Sequence, residues 1–66
     1  MANFENPIVY TITHDTDKYV LRTKDLRVEE YNRYVEVPEN LEIFQMLTFI
    51  TGTINRLGYA VLFEID

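Results

Sequence analysis

Along the chain, apolar residues first alternate with polar ones and later recur every three or four positions, and the change of period divides the sequence into strand and helix. Ile8, Tyr10 and Ile12 alternate with Val9, Thr11 and Thr13, which predicts a strand beginning after Pro7. The polar run His14, Asp15, Thr16 and Asp17 supplies turn formers, and Tyr19, Leu21 and Thr23 then alternate with Val20 and Arg22. An antiparallel hairpin follows from these two segments.

From residue 24 to 37 the period is ambiguous. Val28, Tyr31 and Val35 fit a helical stripe, whereas Arg33, Val35 and Val37 alternate as in a strand. We expect a short helix capped by Asp25, with Glu29 and Glu30 early in it and residues 34–37 leaving as an extended connection ahead of Pro38. A second hairpin turning at Tyr31, Asn32 and Arg33 is the alternative.

The longest element is predicted from Ile43, Leu47, Ile50, Ile54 and Leu57, whose spacings of four, three, four and three hold them on one face of a helix. Glu39 and Glu42 precede it, where the helix dipole favours acids. Arg56 falls in its last turn and Gly58 just beyond, at the position where a left-handed residue commonly ends a helix. Tyr59, Val61, Phe63 and Ile65 then face one way and Ala60 and Leu62 the other, the pattern of a strand covered on both sides or central in its sheet. The expected fold class is α+β. Residues 1–66 form a single domain in this reading, built as a β-hairpin, a short helix or irregular segment, a long amphipathic helix and a C-terminal strand, with the helix on a small antiparallel or mixed sheet.

The other flank of the long helix departs from an ordinary solvent face. Phe44, Thr48, Phe49, Thr51 and Gly52 lie well round from the core stripe, and residues 45–55 carry no charge. Thr48 and Gly52, four apart, permit close approach of another helix, and a mid-helix glycine costs about 1 kcal/mol relative to alanine. These five residues are the expected interface of a homodimer, the commonest soluble oligomer. The alternatives are contact with a different protein, or crowding around Gly52 within one domain.

Composition strengthens the case for association. A 66-residue chain sits near the stability threshold, and with no cysteine and one histidine it has neither a disulfide nor a thiolate metal site to brace it. Its content of 47% apolar and 14% aromatic residues is too rich in core formers for a disordered segment. No apolar run approaches the ~20 residues of a membrane span, and residues 1–7 lack the basic and apolar regions of a signal peptide, so a cytoplasmic location is expected.

The formal charge of -5 opposes binding to nucleic acid, which is driven by lysine and arginine. Between residues 25 and 42, six carboxylates face two arginines. Glu29, Glu30 and Glu36, with Tyr31 and Tyr34 among them, make an anionic and aromatic patch suited to a basic groove on a partner protein. The same acids read as general acid–base or divalent-metal ligands would need an enclosed pocket that so short a chain hardly builds. His14, Asp15 and Asp17 are better explained as a turn than as an acid–base cluster. No catalytic, cofactor or metal site is therefore expected, and the chain reads as a non-enzymatic interaction protein, with a structural or assembly subunit as the competing class.

The order of a hairpin with an acidic turn, the segment Lys24, Asp25, Leu26, Arg27, Val28, Glu29, Glu30, Tyr31, and then a longer helix resembles the small acidic uracil-DNA glycosylase inhibitor of phi29-like phages. The resemblance covers residues 15–47 by residue class and leaves the C-terminal strand outside it. It implies a dimer that blocks a nucleic-acid enzyme by occupying its DNA-binding surface, here through the acidic and aromatic patch.

Overall fold

A computed structural model describes residues 3–40 and 42–66, with side chains from residue 6 onward. Met1 and Ala2, at the start of the segment read for a signal peptide, lie outside the described residues. The elements are β1 (Asn3–Asp15), β2 (Lys18–Arg22), β3 (Tyr34–Pro38), α1 (Ile43–Arg56) and β4 (Tyr59–Ile65). One helix packs on a four-stranded mixed sheet of order β3-β2-β1-β4, so the protein is α+β.

The alternating N-terminal residues form the hairpin the sequence predicts, with Asp15 paired to Lys18 and Thr11 to Arg22. Thr16 turns the corner at φ 57°, a left-handed backbone that a β-branched residue adopts only under strain. On its other side β1 pairs with β4 in parallel, Ile8 against Val61 and Ile12 against Ile65. Parallel neighbours need a crossover, which α1 provides by returning the chain over one face of the sheet. That face carries the core: Ile8, Tyr10 and Ile12 of β1, Leu21 of β2 and Val37 of β3 meet Ile50 and Ile54 of α1.

The middle of the chain corrects three expectations. Residues 25–33 form no α-helix; only Glu30–Asn32 make a single 3-10 turn, with the amide of Asn32 donating to Glu29 O at 2.9 Å. Asp25 caps nothing, because its Oδ1 accepts the amide of Arg27 at 2.9 Å and closes a local turn. Residues 34–37 are not a free connection but most of strand β3, antiparallel to β2 with Leu21 opposite Val35 and Tyr19 opposite Val37. The alternation of Val35 and Val37 was therefore the governing period, and Val28 fills the core from the loop between β2 and β3.

At the helix, Ile50 and Ile54 are buried, while Leu57 is 56% exposed and lies outside the core stripe assigned to it. Gly58 ends the element as expected, at φ 94° with its amide bonded to Asn55 O at 3.0 Å. Glu42 occupies the N-cap and Glu39 stands before it, engaged elsewhere. Strand β4 is an edge rather than the central, doubly covered strand its composition suggested, and Leu62 and Ile65 are 48% and 87% exposed. On the strand's second side Leu62 is open to solvent and Ala60 is buried, while Ile65 lies on the same side as the core residues Val61 and Phe63, at the end of the strand.

Two substitutions test this account by urea denaturation. Ile54→Ala, which empties a fully packed site, lowers stability by about 2–5 kcal/mol, whereas Leu57→Ala changes it by under about 1 kcal/mol. Thr16→Asn, which tolerates the left-handed turn, raises stability by about 1 kcal/mol.

Candidate functional site

The five residues expected to meet a partner fall into two groups. Glu29, Glu30 and Tyr31 project from the loop between β2 and β3 and are all exposed. The neighbouring Glu29 carboxylate favours the protonated Tyr31 phenol and holds its pKa above the ordinary value. Among the described residues no cation stands within ion-pair distance of Glu29 or Glu30.

Tyr34 and Glu36 lie on β3, on the sheet face away from α1, where they are already engaged. Lys18 Nζ donates to Glu36 Oε2 at 3.0 Å and the Tyr34 hydroxyl donates to Glu36 Oε1 at 3.1 Å, and both bonds lower the Glu36 pKa. Arg22 stacks over the Tyr34 ring, 5.5 Å from its centroid. The free negative charge of the patch therefore sits on the loop, and the β3 pair forms a charge-compensated strip beside it.

Arg27, which the sequence did not single out, fixes that loop. Its Nε donates to both oxygens of Asp25, at 2.9 and 3.1 Å, and its Nη1 and Nη2 donate to the carbonyls of Asn6 and Pro7 at 3.0 and 3.4 Å. These carbonyls lie where the β1–β4 register shifts between Asn3 and Ile8, so the guanidinium takes up acceptors near the break in the ladder. Its plane also stacks on Tyr59, 4.9 Å from the ring centroid. The Arg27 bonds hold the Asp25 carboxyl below its ordinary value, against a smaller opposing effect of burial. Tyr10 anchors the far end of the loop, donating to Asn32 O at 3.0 Å. Such a hub is hard to read from sequence, because its partners are backbone carbonyls twenty residues away.

The second candidate surface lies on α1. Phe44 is 76% exposed and Phe49 69%, Thr48 is exposed, and Thr51 and Gly52 are half-buried. A Cβ placed on Gly52 meets nothing within 4 Å, which removes crowding inside one copy as its explanation. Thr48 turns its hydroxyl back to Phe44 O at 2.8 Å, so its methyl is what the flank presents. The structure separates the aromatic pair. Phe49 lines clefts with Val35 and Val37 of β3, while Phe44, Thr48, Thr51 and Gly52 share the opposite flank with Leu47 and Asn55.

His14 forms no acid–base cluster with Asp15 and Asp17. Its Nε2 contacts the Glu39 carboxylate and its ring stacks on Tyr19 at 4.8 Å, linking the hairpin to the approach to α1. Among the described residues no group of three His, Cys, Asp or Glu side chains converges as metal ligands, and no helix is long and apolar enough to cross a membrane. The hollow between β3 and α1 lined by Tyr10, Val35, Phe49 and Ile54 measures about 30 Å³, enough for water but not for an organic ligand. No protein family, characterised protein or solved structure shows significant similarity to the chain.

The Asp25–Arg27 pair makes stability depend on pH. The carboxyl's native pKa is depressed, so the unfolded chain takes up this proton first as pH falls; the stabilisation is complete above the ordinary aspartate range near ~4 and fades as pH drops through the native value. Asp25→Asn lowers the urea midpoint at neutral pH and flattens its decline under acid conditions. An acid limb as steep as that of the unsubstituted protein contradicts this assignment.

Proposed function

We propose that the chain is a non-enzymatic, acidic, cytoplasmic interaction protein that self-associates through the charge-free flank of α1 and uses its acidic loop to occupy a basic, nucleic-acid-binding surface of a partner enzyme. The carrying observation is the division of its surface. Glu29, Glu30 and Tyr31 form an exposed anionic and aromatic tip on a loop fastened by Arg27, while Phe44 and its small neighbours leave an apolar flank bare on the other element. Copies each carrying a charge of -5 repel, so self-contact belongs where charge is absent, and partner contact belongs where it is concentrated.

The resemblance to the uracil-DNA glycosylase inhibitor of phi29-like phages supports an inhibitory role and suggests a uracil-DNA glycosylase as the first target. Tyr34 and Glu36 lie beside the tip, where Lys18 and Arg22 temper their charge, so they contribute contact area more than attraction. A second reading, an assembly subunit in which the acids only keep the protein soluble, is favoured by the bare edge of β4 with Leu62 and Ile65 exposed.

Release of uracil from an oligonucleotide by a uracil-DNA glycosylase separates the two. The protein inhibits this reaction, the inhibition weakens as salt rises, and Glu29→Lys combined with Glu30→Lys raises the inhibitory concentration by about tenfold or more without altering oligomeric state. Full inhibition by the charge-reversed protein rules out the acidic tip. Absence of inhibition by the original protein rules out the glycosylase as its target.

A further inference from the structure

We propose that two copies join through the free edge of β4, antiparallel about a two-fold axis at Leu62, giving one continuous eight-stranded sheet with four strands from each copy and the two α1 helices side by side. This rests on the self-association proposed above and specifies its geometry.

The sheet has two free edges, and only one is suited to meeting its own copy. Strand β3 ends in Pro38, which has no amide to donate, and its middle residue is Glu36, so pairing it with itself sets two carboxylates face to face. Strand β4 carries little of the usual protection: its seven residues include neither proline nor lysine, and its single charge, Glu64, lies near one end. Its middle residue is Leu62. Antiparallel pairing centred there uses the whole strand, opposing Tyr59 to Ile65, Ala60 to Glu64 and Val61 to Phe63 of the second copy. Each Glu64 faces an alanine rather than another acid, and the exposed Leu62 and Ile65 side chains gain apolar neighbours.

Backbone parity permits this register. The amide of Asp66 donates to Ile12 O at 2.9 Å, and Ile12 sits opposite Ile65 in the parallel ladder. By alternation the backbone groups of Glu64, Leu62 and Ala60 turn toward β1, leaving those of Val61, Phe63 and Ile65 free at the edge. The proposed register matches free groups with free groups: Val61 with Phe63, and Tyr59 with Ile65. Leu62 then meets its copy at a non-hydrogen-bonded position, where opposed side chains come closest.

The helix flank follows from the same operation. Phe49 and Met46 face β3, so the flank about 140° round from Phe49 that bears Phe44, together with Thr48 and Thr51, turns to the β4 side. Helix α1 packs against β4 and against Tyr10 of β1. Both helices lie on the same face of the continuous sheet, so across the two-fold axis the second copy's α1 approaches from the side that this flank faces. Gly52 and Thr48 then have a neighbouring helix to admit.

Because position 62 meets itself, opposite charges placed there restore what like charges remove. In sedimentation equilibrium, Leu62→Lys and Leu62→Glu each weaken the dimer by about 100-fold or more, and an equimolar mixture of the two dimerises again with one copy of each, as native mass spectrometry records. Circular dichroism of each variant reports that its fold is retained. A dimer unaffected by either substitution, or a mixture that stays monomeric, overturns the β4 interface while leaving self-association through another surface intact. A monomeric unsubstituted protein overturns both.

Discussion

The parallel pairing of β1 with β4 is the constraint from which the remaining architecture follows. Parallel neighbours cannot be joined by a tight turn, so the chain leaving β3 must cross the sheet before β4 begins, and α1 makes that crossing. Among the described residues one α-helix makes this crossover, and it covers one sheet face. Ile8, Tyr10, Ile12 and Leu21 are buried beneath α1, while β4, reached last, is left at the edge with Leu62 outward.

The same economy shapes the candidate surfaces. Among the described residues no second α-helix shields the outer flank of α1, so Phe44 and Phe49 remain in solvent on opposite sides of it. Charge is placed elsewhere. The loop between β2 and β3 carries Glu29 and Glu30, and Arg27 holds that loop against the start of β1 and against Tyr59 by hydrogen bonds and ring stacking. A fastened loop loses less conformational freedom on binding than a mobile one, which is a physical reason for an interaction segment to be built in this way.

The strip of Lys18, Glu36, Tyr34 and Arg22 shows how pairing changes the meaning of a charge. In the sequence Glu36 adds to an acidic run. In the fold β2 and β3 lie side by side, and Lys18 and Arg22 arrive from the neighbouring strand to offset it. Net charge along a segment is thus a poor guide to the charge that segment shows to a partner, because cross-strand neighbours are distant in the chain.

By itself the sequence determined the elements whose signals are local: the hairpin of β1 and β2 from its period of two, the long helix from its three-and-four spacing, and the helix stop at Gly58 from the freedom of glycine at positive φ. It also determined that α1 has an apolar second flank, since absence of charge is visible without any fold. Tertiary structure decided the rest. Residues 24–37 fit helix and strand patterns almost equally, and pairing with β2 made 34–37, expected only as an extended connection, a strand of the sheet; the two apolar sides of β4 suggested a covered strand, and the order of the sheet made it an edge. Both outcomes depend on partners many residues away, and periodicity within a short window holds no record of which partner the chain will meet.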